Sequence, residues 1–179
     1  SKVRLRMMKF DICEETYMIR KMRRFKQEMS QEDTIEIFKN NSYGILALTG
    51  DDEYPYAVPL SYVYADGKIY FHSADQGHKI DAIKNSGKAS FCVVERDEVV
   101  PEKLTTIYKS AIAFGRVRII GDDDEKLAAL EYLAQKYSPS NGEKNRKEID
   151  ASWKTVCVIG LEIEHITGKA SMELIKANS

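Results

Sequence analysis

The chain has 179 residues and a formal net charge of −1, enough for one domain with a sizeable core but no global field for nucleic acid or an anionic membrane. No apolar run approaches the ~20 residues of a membrane span, and the N-terminal stretch lacks the apolar segment of a secretory signal. Cys13, Cys92 and Cys157 are too scattered for a disulfide framework or a zinc knuckle, so a reducing, cytoplasmic setting is expected. Cys92 and Cys157 lie in apolar runs and read as small buried hydrophobes.

Residues 1–29 are basic, methionine-rich and without period, and read as an N-terminal extension. Within them, Arg20 to Lys26 carries five basic residues in seven positions. Such a run is either a solvated segment or one that sends an arginine to an anionic ligand. A domain is expected over residues 30–170, followed by a tail at 171–179. Ser30-Gln31-Glu32-Asp33 resembles a capping box, and Ile35 with Phe38 predicts a short helix to about Asn40. A strand follows from Tyr43 to Leu48, closed by Gly50-Asp51-Asp52. A second strand, Tyr56 to Tyr64, meets a third, Lys68 to Ser73, across Asp66-Gly67, a dipeptide suited to the positive φ angles of a type I′ hairpin turn.

Asp75 to Asn85 is predicted helical, and Ala89 to Val94 and Lys109 to Ile120 are predicted strands. Asp122 to Asp124 place acidic groups at a helix start, where the dipole favours them. The buried stripe of that helix is predicted to be Leu127, Leu130, Ala134 and Tyr137, with Ser138-Pro139 ending it. Residues 138–152 read as a polar loop and Thr155 to Thr167 as the last strand. Hairpins instead of regular βαβ alternation favour a small antiparallel barrel over a Rossmann fold.

The hairpin register makes opposite positions sum to 133, so Val63 faces Tyr70 and Ser61 faces His72. Val58, Leu60, Tyr62, Ile69 and Phe71 share the other face, which is the predicted core. The Ser61–His72 face is either solvated or a site, and Pro59 beside it implies an edge, a bulge or an interrupted pairing. Beyond Ser73 the chain turns through Gly77 to His78 and Lys79. A helix start beside a lysine suits an anion, so Ser61, Ser73 and Lys79 could converge on one phosphate. His72 and His78 fit no common zinc spacing, and no metal is expected.

Tyr54 to Tyr64, Asp66 to Ser73, Gly77 to Ile80, Ser90 to Val94, Ser110 to Val117 and Ile166 to Lys169 together resemble the nitroimidazole-resistance group. That group belongs to the FMN-binding split-barrel superfamily related to pyridoxamine 5′-phosphate oxidase. The likeness runs over roughly residues 22–170. It implies a mainly β fold, a six-stranded antiparallel split barrel with a few peripheral helices, dimerising with two FMN molecules at the interface. Carried over by position, Val58, Leu60 and Ser61 should line the flavin, His72 and Ser73 sit beside it, and His78 and Lys79 hold its phosphate. Ser110 corresponds to a flavin-contacting position on the long strand. The dimer patch is expected at Ala111, Ala113 and Val117.

Leu161 to Lys169 lacks the arginine- and histidine-bearing signature with which the oxidases grip their substrate phosphate, which argues against vitamin synthesis. The resemblance therefore implies an FMN-dependent reductase of a small electron acceptor, such as a nitroimidazole or another nitroaromatic. The alternative is a flavin-binding or redox-sensing module without turnover. His72 is the expected substrate-contacting, catalytic residue, while His165 and Trp153 are weaker candidates. A further alternative is a monomer in which the segment near Arg23 and Arg24 folds back over the site.

Overall fold

The structure, a computed structural model, describes residues 19–177; Cys13 and most of the N-terminal extension lie outside the described residues. Seven strands form one antiparallel sheet: β1 Tyr43–Thr49, β2 Pro55–Ser61, β3 Val63–Ala65, β4 Lys68–Ala74, β5 Lys88–Val100, β6 Thr105–Ile119 and β7 Val156–Ala170. Their order is β2-β1-β5-β6-β7-β4-β3. The two outermost strands are consecutive in the chain and joined through Tyr62, so the sheet curls until its margins meet. β2 then lies beside β4 without pairing to it, which leaves the barrel split along that seam.

Seven strands replace the expected six because the predicted strand Tyr56–Tyr64 breaks at Tyr62. On one side of the break, Ser61 pairs with Tyr43 of β1; on the other, Val63 pairs with Tyr70 of β4. The break lets each half take a different partner. Pro59 sits on β2, a margin of the sheet, where its missing N–H costs no inner ladder bond. The hairpin forms as expected from Val63 to Tyr70, with Asp66 at φ 52° and Gly67 at φ 73°.

Five helices accompany the sheet among the described residues: α1 Gln31–Asn40, α2 His78–Asn85, α3 Asp123–Tyr137, α4 Gly142–Ser152 and α5 Met172–Ala177. Ser30 caps α1 by accepting the Asp33 N–H, and Asp122 caps α3 by accepting the Glu125 N–H. α4 occupies the segment predicted to be a polar loop. It buries one apolar residue, Ile149, so no periodic stripe announced it. On α3 the buried residues are Ala129, Leu130 and Leu133, whereas Leu127 and Tyr137 are exposed. The stripe is shifted because α3 packs chiefly on β3 and β4, with α4 at its side.

The main core fills the barrel. Leu46, Tyr62, Ile69, Phe71, Phe91 and Val93 meet Ile37 and Phe38 of α1 and Ile80 and Ile83 of α2. Phe91 makes edge contacts with Tyr62 and Phe71, at centroid separations of 4.8 and 5.1 Å. Each such side chain contributes roughly 1.5–3 kcal/mol on burial. α1 comes so close to β7 that a side chain at Gly168 would overlap Thr34. Cys157 is buried and Cys92 half-buried.

Ala111, Ala113 and Val117 face this interior at 1, 0 and 4% exposure, so they cannot form the expected intersubunit patch. Alternation instead turns Ser110, Ile112 and Phe114 outward. A second cluster lies outside the barrel, where Val63 and Tyr70 are buried with Ile120, Leu130, Leu133 and Val158. The hairpin face read as either solvated or a site is therefore half covered by α3.

β7 pairs with β4 only as far as Glu162. Beyond that point its free edge is taken by the end of the N-terminal extension. Met29 N–H donates to Gly168 C=O at 2.9 Å, and Glu28 bridges Lys169. An open strand edge is thus covered by the chain itself.

Candidate functional site

The seam between the sheet's margins has a closed end and an open end. At the closed end, Tyr62 N–H donates to Tyr137 Oη at 2.9 Å. The Tyr137 hydroxyl shares its proton between the carbonyls of Tyr62 and Ser42. Lys136 Nζ donates to the carbonyls of Asn41 and Tyr62 at 2.5 and 3.0 Å, and lies 3.9 Å from the centre of the Tyr62 ring. Tyr62 itself donates to Phe38 C=O at 2.6 Å. Side chains from the end of α3 and the Tyr62 hydroxyl supply the bonds that a strand partner would otherwise make. Burial pushes the Lys136 ammonium down to about 8.

The open end lies between β2 and the last residues of β4. His72 pairs with Val158 and Ser73 with Cys157, both on β7. Ser61 pairs with Tyr43 instead of with His72, so the expected cross-hairpin couple does not form. The cause is the break at Tyr62, which swings β2 away from β4. His72 keeps an exposed surface, yet partial burial lowers its pKa, and the nearby Lys79 charge lowers it further. A neutral imidazole at neutral pH follows.

Lys79 is half-buried, and burial lowers its pKa. Among the described residues it makes no ion pair. Its charge acts on both His72 and Cys157. Burial raises the Cys157 thiol, so this cysteine stays protonated. Gly77, at φ 116°, begins α2 with no capping side chain. Asp81 N–H is the first to find a helical acceptor, Gly77 C=O at 3.1 Å. The amide groups at the helix start therefore remain available to an anion.

His78 does not join Lys79. Its ring stacks on Tyr56 at 4.1 Å, and Nε2 lies 3.9 Å from the Asp51 carboxylate. One residue along a helix turns a side chain by about 100°, and that turn carries His78 to the β1–β2 corner. Val58 and Leu60 also turn from the seam and pack against the main core. What β2 offers a ligand there is its backbone edge and Ser61.

Ser110 stands apart from this group. Its row runs across the outer surface from Ser110 to Val94, and the β1–β5 register continued by two positions brings Tyr43 and then Ser61 alongside. Three strand spacings, about 14 Å, separate Ser110 from Ser61. Tyr43 and Val94 in that row are 64 and 60% exposed. Of the weaker candidates, Trp153 packs under Lys126, whose Nζ is 4.6 Å from the ring centre. His165 faces outward on β7 opposite Phe114. The segment around Arg23 and Arg24 runs beside β7 near Lys169, and so does not fold over His72.

Sequence reading missed Tyr56, Cys157 and the Lys136–Tyr137 pair, each brought in by distant pairing. Among the described residues, no three side chains form a metal-binding group, and no helix is long and apolar enough to cross a membrane.

The fold recurs in solved structures. A candidate 5-nitroimidazole antibiotic resistance protein from Bacteroides thetaiotaomicron is 21% identical, with TM-score 0.68 over 80% of this chain and 86% of that one. The flavocytochrome Anf3 from Azotobacter vinelandii is 18% identical, with TM-score 0.70 over 87% of this chain and 77% of its own. An FAD-binding protein from Mesorhizobium loti is 21% identical, with TM-score 0.60 over 80% of this chain and 96% of that one. No curated protein sequence matches the chain. A family model described as pyridoxamine 5′-phosphate oxidase covers residues 30–170, and by that match the chain belongs to the pyridoxamine 5′-phosphate oxidase-related family of split-barrel proteins.

Proposed function

We propose that the protein binds FMN at the open seam and reduces a small electron acceptor, with nitroimidazoles and other nitroaromatics as the substrate class. The observation that carries this reading is Lys79: a half-buried ammonium that makes no ion pair among the described residues, beside His72 at the uncapped start of α2. The residues present fit a terminal phosphate. Lys79 supplies charge and the α2 amides supply donors, while a side chain added at Gly77 would meet nothing within 4 Å, so the approach is open. When bound, the flavin supplies the redox chemistry. Ser73 and the β2 edge orient it. His72, held neutral, is a hydrogen-bond partner for the acceptor and can carry a proton to it. The names of FAD-binding neighbours favour FAD as a second reading; chromatography of the extracted flavin separates the two.

In this reading the working unit is a homodimer. The outward row with exposed Tyr43 and Val94 is the face left for a partner, and two copies about a two-fold axis would bury it on both sides. Ser110, about 14 Å from Ser61 in its own chain, then contacts the flavin held by the other copy. Such an interface should bury about 2,000 Å² or more in total. Sedimentation with and without FMN checks this, because a ligand held by both copies stabilises only the dimer.

The decisive experiment mixes reduced, FMN-loaded protein with metronidazole without oxygen. Rapid return of the oxidised flavin spectrum supports the reductase. Persistent reduced flavin across a panel of nitroaromatics and quinones overturns it and leaves a flavin-binding module. His72→Ala should keep flavin and slow reoxidation; unchanged rates would make His72 structural.

A further inference from the structure

Outside the barrel, the start of α3 and the end of α4 bound a cleft of about 580 Å³, within the range of small-molecule sites. Leu127 lines it from α3; Asp150, Ala151, Trp153 and Lys154 line it from the end of α4 and the residues just beyond. Leu127, expected in the buried stripe of α3, is 41% exposed because it forms a wall of this cleft. Trp153 is pinned in place. Lys126 Nζ donates to its carbonyl oxygen at 2.8 Å and lies 4.6 Å from its ring centre.

Two acid–lysine pairs of the same spacing lie along this helix and behave differently. Glu143 and Lys147 close into an ion pair at 3.0 Å, both well exposed to solvent. Asp150 and Lys154, also four residues apart, stay open, and among the described residues neither has an ionic or hydrogen-bonded partner. Side chains four apart on a helix stand about 5–6 Å from one another at Cβ. The cleft therefore presents one unpaired carboxylate and one unpaired ammonium about a helical turn apart, beside the apolar surface of Leu127, Ala151 and Trp153. The carboxylate sits in the last turn of α4, where the helix dipole also favours a cation.

That pattern selects a zwitterion. A ligand with one charge would answer one side chain and leave the other unmatched, whereas an α-amino acid carries both charges on a single carbon and can meet the two together. Its side chain then has apolar surface to lie on.

We propose that this cleft binds free α-amino acids with apolar side chains, of the leucine or phenylalanine kind. Asp150 takes the ammonium, Lys154 takes the carboxylate, and Leu127 and Trp153 hold the side chain. The site is separate from the flavin reading and does not depend on it.

Trp153 is the only tryptophan of the chain, so tryptophan fluorescence reads this cleft directly. Titrating the full, flavin-free chain with L-leucine should shift the emission and saturate below about 10 mM. Isocaproate, which lacks the ammonium, and isoamylamine, which lacks the carboxylate, should each bind about tenfold or more weakly, as loss of a charge-assisted bond requires. Asp150→Asn and Lys154→Gln should each lose about tenfold in leucine affinity. The exchanged pair Asp150→Lys/Lys154→Asp should recover part of it, and Glu143→Gln should change nothing. Equal affinity for leucine and either truncated analogue overturns the proposal, as does leucine that moves neither the emission nor the Trp153 indole NMR signal. FMN uptake measured on the same samples keeps the two readings separable. A chain that takes up FMN but no leucine refutes this proposal alone, and one that binds leucine but no flavin refutes the flavin reading alone.

Discussion

The two ends of the seam between β2 and the β3–β4 hairpin are built on opposite plans. At Tyr62 the backbone N–H and C=O are met by Tyr137 and Lys136, and the hydroxyl by Phe38. A few residues away, β2 and β4 run side by side unpaired, α2 starts without a cap, and Lys79 has no counter-ion among the described residues. Unmet polar groups cost stability when buried, so a fold keeps them where something else will bind. The closed end should therefore govern stability and the open end ligand affinity.

Removing the closed end should have the largest effect. Tyr62→Ala deletes a fully buried ring and its hydrogen bond, and is expected to cost about 3–5 kcal/mol, read from urea denaturation midpoints. A loss under about 1 kcal/mol would mean the seam is not a stability element. At the open end, Lys79→Ala should weaken FMN by about 1.5–3 kcal/mol, a 10- to 150-fold rise in Kd. The same change should leave urea stability within about 0.5 kcal/mol, and flavin fluorescence titration beside denaturation measures both. Unchanged FMN affinity would show that the lysine points elsewhere.

Tyr137→Phe keeps the ring and removes only the hydroxyl that bonds Tyr62. It should cost about 1–2 kcal/mol with FMN affinity unaltered, and a matching loss of FMN affinity would show the two ends to be coupled. The last effect is one of pH. Burial pushes Lys136 down to about 8 in the folded state, below the ordinary lysine value of 10.5, so the unfolded chain binds more protons between those values. Wild-type stability should then rise with pH across the window from 8 to 10.5, with the penalty complete below pH 8. Lys136→Met should remove that component from the difference between the two stability curves. A difference curve flat with pH would place the lysine's titration outside this range.

The hairpin shows how far local information reached. Asp66-Gly67 fixed its register because a two-residue turn with positive φ admits only one alignment, and Val63 duly meets Tyr70. Three residues further on, the same arithmetic placed Ser61 opposite His72 and failed, because at Tyr62 the chain exchanges one partner strand for another. Nothing local marks that exchange beyond Pro59, which signals an interruption but not where the strand goes next. α4 was invisible for a different reason, since a helix that buries only Ile149 has almost no periodic signal.

Within the site the same division holds. The polar run from His72 to Lys79 suggested a place, and the segments resembling split-barrel flavoproteins suggested a flavin there, the reading that the FMN titrations test. Which of those groups converge was decided by the turn of α2, which sends Lys79 towards His72 and His78 onto Tyr56. Pairings nearby in the chain, caps and turn conformations were set by the sequence itself, because each depends on a few adjacent residues. The exchange at Tyr62 and the inward turn of Ala111, Ala113 and Val117 were decided only by the tertiary structure. These depend on which strand margins find each other once the sheet closes, a choice made by the whole core and by no single segment of it.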